Sequence, residues 1–115
     1  MSQPRLLDLF CGAGGAARGY MAAGFHVTGV DLKAQPRYCG DAFIQADVMT
    51  LKPEFLRQFD AIHASPPCQW ITHAAIQWRA QGKQYPALLE PTRDLLVQAG
   101  RPYVIEQPVG QVLRN

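Results

Sequence analysis

Residues 6–15 read LLDLFCGAGG. The run 6–10, apolar except for Asp8, predicts a short buried strand, and the glycines at 12, 14 and 15 break it at once. The next stretch, AARGYMAAG (16–24), is rich in helix formers and places Gly24 where a helix end takes a left-handed residue. FHVTGVDL (25–32) is then β-branched and apolar and predicts a second strand closing on Asp31. Strand, glycine turn, helix and strand in that order open a β-α-β unit, whose two strands run parallel.

Further along, the same alternation continues. FIQADV (43–48) and FDAIHAS (59–65) predict a third and a fourth strand, and PYVIEQP (102–108) a fifth that Pro108 stops. Residues 87–100 have helical periodicity through Leu95, Leu96 and Val97, with Pro91 in the first turn and Gly100 as the cap. Residues 70–86 are polar and hold Trp70, His73, Trp78, Arg79, Gly82 and Lys83, which predicts a long loop. The expected fold class is α/β, an open and mostly parallel sheet in a single domain over residues 1–115. In such sheets ligands bind beyond the carboxyl ends of the strands. The chemically unusual residues fall there: the glycines after the first strand, Asp31 on the second, Asp47 on the third, Cys68 after the fourth and Glu106 on the fifth.

Bulk composition agrees with one soluble domain. The chain has 115 residues, 48% hydrophobic and 17% charged, enough for one core and too apolar for a disordered segment. No apolar run approaches a membrane span and the N-terminus lacks a signal-peptide layout, so the expected location is the cytoplasm, with no membrane partner. Cysteines at 11, 39 and 68 match no zinc spacing, so no metal is expected and reduced thiols fit best. The net charge of +2 does not by itself announce a nucleic-acid binder, although the basic surplus lies wholly in residues 66–115.

The glycine turn supports a nucleoside-containing cofactor. Gly12, Gly14 and Gly15 permit close approach of a ligand to backbone N–H groups at a helix N-terminus, and Asp31 is placed to accept from ribose hydroxyls. GAGGAA also satisfies G-x-G-x-x-A, with Asp31 19 residues beyond Gly12, so a dinucleotide site competes at this point. The second unusual stretch is SPPCQ (65–69). Pro66 and Pro67 lock φ and remove two donors, which makes a stiff mount ending in Cys68. A thiol there, beside a cofactor pocket, is placed for nucleophilic attack, and Glu106 could serve as acid or hydrogen-bond partner to a substrate. His63, inside the fourth strand, reads as a satisfied core residue.

Together these motifs resemble the DNA cytosine-C5 methyltransferases. DLFCGAGG is similar to that family's first cofactor motif, GVDL to its ribose-binding acid, ADV to its adenine-side motif, SPPCQ to its nucleophile motif and IEQPVG to its glutamate motif. The resemblance implies a Rossmann-like, S-adenosylmethionine-dependent methyltransferase fold, truncated after about the fifth strand. It implies Cys68 as the nucleophile that adds to cytosine C6 and Glu106 as the partner of N3. S-adenosyl-L-methionine is the implied cofactor, held by Phe10, Cys11, Gly12, Ala13, Gly14, Gly15, Asp31, Leu32, Asp47, Val48, Pro67 and Leu88. The implied partner is double-stranded DNA with its target cytosine flipped out of the stack, at a cost of a few kcal/mol. Loop 70–86 would then meet DNA, and a restriction-modification setting is implied.

Three features depart from the family pattern. Ser65 stands where glycine is usual, and Glu-Gln-Pro replaces Glu-Asn-Val. Nothing after residue 106 matches the later arginine motif or a target-recognition region. The expectation is therefore the catalytic, cofactor-binding part of an enzyme, with a second chain or self-association supplying the missing elements. Alternatives carried with it are a cofactor-binding domain without independent activity and an RNA substrate.

Overall fold

A computed structural model of the protein describes residues 3–67 and 88–106. Among them, five strands form a single parallel sheet: β1 (Arg5–Leu9), β2 (His26–Asp31), β3 (Ala42–Gln45), β4 (Ala61–Ala64) and β5 (Tyr103–Ile105). Three helices accompany them, α1 (Gly15–Ala22), α2 (Pro53–Leu56) and α3 (Leu89–Ala99), with a 3-10 turn at Val48–Thr50. The strand order is β3-β2-β1-β4-β5.

That order follows from the sequence of β1. LLDL is apolar on both faces apart from Asp8, so the strand belongs in the middle of the sheet where both faces are covered. Leu7, Leu9, Val30, Ile62 and Ala64 share one face and pack against Leu56 and Phe59 at α2 and Leu96 and Ala99 of α3. Leu6 and Val27 share the other face with Ala17 and Tyr20 of α1. Leu7, Leu9 and Leu96 have no exposed surface, each contributing about 2 kcal/mol by leaving water.

Chain direction across the sheet reverses between β1 and β4. The β1–β2 crossover places α1 on one face, and the β4–β5 crossover places α3 on the other. A crevice opens at such a switch point, at the carboxyl ends of the two central strands. The helix ends match expectation: Gly24 and Gly100 take positive φ (103° and 74°), and Pro91 lies in the first turn of α3. Two details differ. The third strand ends at Gln45, because Asp47 instead caps the 3-10 turn by accepting from the Met49 N–H at 2.9 Å. The short helix α2 was not foreseen; Pro53 at its first position and Glu54 beside it start it, while its brevity hides any period.

Among the described residues no helix is long and apolar enough to cross a membrane. At the β5 edge Tyr103 and Val104 are exposed, 41% and 53%.

Candidate functional site

The end of β1 turns sharply. Phe10 has φ of 58°, unusual for an aromatic residue, and Gly12 and Gly14 follow at 56° and 100°. This left-handed path keeps the Cys11 N–H on the Val30 carbonyl (3.1 Å), closes a turn from the Gly14 N–H to the Cys11 carbonyl (3.1 Å), and delivers Gly14 as the N-cap of α1. The first N–H groups of α1 therefore face the carboxyl end of the sheet.

Asp31, the last residue of β2, fastens this turn to its neighbour. One carboxylate oxygen accepts from the Gly12 N–H at 2.9 Å and the other from the Lys33 N–H at 3.1 Å. Each oxygen keeps a free lone pair for a ligand hydroxyl. Ser65 follows β4, its N–H on the Leu9 carbonyl (3.1 Å), so the Ser-Pro-Pro segment starts beside the glycine turn. Pro66 is fully buried, anchoring the mount from below.

These segments enclose a cavity of about 550 Å³, within the range of small-molecule sites. Of the residues expected to hold a cofactor, Phe10, Gly12, Asp31, Leu32, Asp47, Val48, Pro67 and Leu88 line it. Lys33, Gln35 and Ser65 line it as well and were missed. Ser65 could have been found, since it opens the quoted SPPCQ stretch; Lys33 and Gln35 sit in a polar connection with no distinguishing pattern.

Four expected cofactor residues are not among the cavity lining. Cys11 is buried, its thiol on the Gly12 carbonyl (3.4 Å) and close under Gly29, where an added Cβ would lie 2.7 Å from the sulfur. Burial, reinforced by Asp8 and Asp31, pushes this thiol up to about 12. The Ala13 carbonyl accepts from the Cys39 N–H (3.0 Å), and Gly14 packs so tightly on Cys39 that an added Cβ would lie 2.8 Å from its sulfur. Gly15 starts α1. Cys68 lies outside the described residues, as do Trp70, His73, Trp78, Arg79, Lys83, Gln107 and Pro108.

Beneath the cavity lies a polar group of side chains. Asp8 is 1% exposed, and its Oδ2 meets no hydrogen-bond partner among the described residues. Desolvation first, then the charges of Glu106 and Asp31, raise its carboxyl to about 7. In register beside it on β4 is His63, buried as expected of a core residue and bonded at both nitrogens. Nδ1 lies 2.8 Å from the Tyr20 hydroxyl; Nε2 lies 2.9 Å from Ser65 Oγ and 3.4 Å from Glu106 Oε1. Burial lowers the proton affinity of the ring, against the opposing pull of Glu106. Glu106 falls one residue past β5 and continues the ladder, its N–H on the Ala64 carbonyl at 2.9 Å. The site thus gathers Asp8, Asp31, Asp47 and Glu106 at or near one end of the sheet, with Lys33 the cation among the described lining residues. Such an environment favours a cationic ligand with hydroxyl donors and an apolar ring.

The chain is similar to known proteins in sequence and in fold. The sequence profile described as C-5 cytosine-specific DNA methylase matches residues 4–96. The Type II methyltransferase M1.HphI of Haemophilus parahaemolyticus is 34% identical over 83 residues, 59% of this chain and 22% of that protein. The chain thus spans about a fifth of the length of this curated relative. Among solved structures, the 1,6-didemethyltoxoflavin-N1-methyltransferase of Burkholderia thailandensis, with bound 1,6-didemethyltoxoflavin and S-adenosylhomocysteine, superposes with a TM-score of 0.58 at 21% identity. The match covers 90% of this chain and 44% of that one. An S-adenosylmethionine-dependent methyltransferase from Mesorhizobium loti gives 0.53 at 23% identity, over 88% and 44% of the two chains. At these identities the likeness shows the fold, the Rossmann-like sheet of the methyltransferases.

Proposed function

Because the chain belongs to the C-5 cytosine-specific DNA methylase family, we propose that it forms the cofactor-binding and catalytic part of an enzyme methylating C5 of cytosine in duplex DNA. One observation carries the reading. The cavity at the switch point joins the glycine turn, an Asp31 carboxylate with spare acceptor capacity, apolar walls from Phe10, Leu32, Val48 and Leu88, and the start of the Ser-Pro-Pro mount.

These residues fit S-adenosylmethionine, the family's methyl donor. Asp31 would accept from the ribose hydroxyls, while Leu32, Asp47 and Val48 would flank the adenine. Phe10 and the turn at 11–15 would lie along the rest, with Pro67 and Leu88 closing the cavity. The acidic surroundings favour the positive sulfonium. When bound, the cofactor supplies an electrophilic methyl group.

The protein's part is to make C5 of cytosine nucleophilic. The Cys68 thiolate adds to C6 of a cytosine turned out of the helix, forming a sulfur–carbon bond and moving electron density to C5. Glu106 holds the proton at N3, offsetting the negative charge that develops in the ring. Once C5 is methylated, loss of its proton and departure of the Cys68 sulfur from C6 restore the aromatic ring.

The test is a covalent trap on duplex DNA containing 5-fluorocytosine in many sequence contexts, with S-adenosylmethionine. Fluorine at C5 cannot leave as a proton, so the expected result is a denaturation-resistant adduct that Cys68→Ser abolishes. Folded protein that binds S-adenosylmethionine without forming an adduct would sink turnover by this chain alone. It would leave a cofactor-binding part that needs a second chain or further segment. An adduct on RNA but not on DNA would replace the substrate.

A further inference from the structure

His63 has contacts that the proposed reaction leaves unused. Its ring lies on the α1 face of the sheet, between Asp8 of β1 and Val104 of β5 in register. Both nitrogens are engaged, by Tyr20 on one side and by Ser65 and Glu106 on the other.

The direction of these hydrogen bonds follows from the chemistry of the groups. An ionised carboxylate only accepts, so the Glu106 contact is favourable only when Nε2 carries the hydrogen. Burial keeps the ring below the ordinary imidazole range, so near neutrality Nδ1 retains its lone pair. The Tyr20 phenol, raised by burial and by the charges of Asp8 and Glu106, keeps its proton and donates it to Nδ1. Donation therefore runs from the Tyr20 O–H to Nδ1 and from Nε2–H to Ser65 Oγ, with the Glu106 carboxylate 3.4 Å from the same nitrogen.

Three elements meet through this one ring: α1 through Tyr20, the segment after β4 through Ser65, and the end of β5 through Glu106. The Glu106 side chain is 69% exposed, and an exposed carboxylate without a tether is free to sample several rotamers. Ser65 leads directly into Pro66 and Pro67, whose fixed φ transmits its placement along the chain. Resting on the proposed role of Glu106 at cytosine N3, we infer that His63 is a positioning residue, its Nε2–H holding the Glu106 carboxylate and the Ser65 hydroxyl in one register. The carboxylate and the thiol mount then address the same base. Among the described residues, the titratable groups around the ring are Asp8 from β1, Tyr20 from α1 and Glu106 beyond β5.

Two substitutions separate positioning from packing. His63→Gln keeps an N–H donor near the place of Nε2, whereas His63→Leu keeps most of the volume and donates nothing. In the 5-fluorocytosine trap at saturating DNA, His63→Leu is expected to slow adduct formation about tenfold, the scale of one lost hydrogen bond to a charged group. His63→Gln should recover most of that loss, with the half-saturating DNA concentration unchanged in both. A readout independent of turnover is long-range proton–nitrogen NMR of the imidazole. The expected ring is neutral with hydrogen on Nε2, and Glu106→Gln lowers its pKa further, because the charge favouring its protonation is gone.

A ring with hydrogen on Nδ1, or a pKa indifferent to Glu106→Gln, overturns the inference whatever the trap shows. Adduct formation by His63→Leu at the wild-type rate also overturns it. If the wild type forms no adduct while the spectra are as expected, turnover by this chain alone fails and the coupling of ring to carboxylate stands.

Discussion

Replacing Asp8 by asparagine should remove a pH dependence of stability that this one carboxyl imposes. The side chain is 1% exposed in the central strand, and its Oδ2 has no partner among the described residues. Desolvation, followed by the charges of Glu106 and Asp31, raises its pKa from 3.8 to about 7. A carboxyl with a raised folded pKa binds its proton more tightly in the native than in the unfolded chain. Its contribution is therefore fully present below the unfolded value of 3.8 and is lost as pH rises through about 7. A gap of about 3 units at 1.36 kcal/mol each corresponds to about 4 kcal/mol. The assay is urea unfolding of wild type and Asp8→Asn at several pH values from 4 to 8, without cofactor. Taking the difference between the two proteins cancels the carboxylates they share. The stability of Asp8→Asn relative to wild type should climb by about 4 kcal/mol from the acidic to the basic end, most of it between pH 4 and 7. A flat difference, or one of opposite slope, would refute the argument that Asp8 is desolvated and without compensation. Adding Glu106→Gln should shrink the climb, since that charge is the second cause of the shift.

Asp31→Ala removes the acceptor for the N–H groups of Gly12 and Lys33. It should weaken S-adenosylmethionine binding by about tenfold or more, read by calorimetry, and lower unfolding stability by about 2 kcal/mol in denaturant titration. Gly14→Ala places a Cβ at φ of 100° and 2.8 Å from the Cys39 sulfur, and should lower unfolding stability by about 2–4 kcal/mol in denaturant titration. The Cys11 thiol, pushed up to about 12, should resist iodoacetamide at pH 8 in the native protein and react only on unfolding; rapid native alkylation seen by peptide mass spectrometry would contradict its burial.

The sequence alone determined the class of fold and most of the cavity wall. The fold class follows from local chemistry, and most of the cavity wall from the family resemblance that the motifs carry. An apolar strand cut by glycines, a helix and a strand ending in Asp31 can form few things other than a parallel β-α-β unit. Gly12 and Asp31 sit where backbone preferences are strong, so they could be assigned to strand ends before any contact was known, while Phe10, Asp47 and Pro67 came from the family resemblance. The helix α2 escaped notice because four residues are too few to display a period, and the end of β3 was overrun because Asp47 caps a turn.

Only the tertiary structure decided which side chains meet. Strand order, β3-β2-β1-β4-β5, puts Asp8 beside His63, 55 positions away in sequence, and brings Glu106 within 3.4 Å of the same ring. Tyr20, from a helix on the other side of a glycine turn, completes that group. No local pattern encodes such pairings, because the register between strands is set by the packing of both sheet faces at once. Burial likewise separates Cys11 from the cavity and raises Asp8 to about 7, since desolvation depends on everything that surrounds a group and not on its neighbours in the chain.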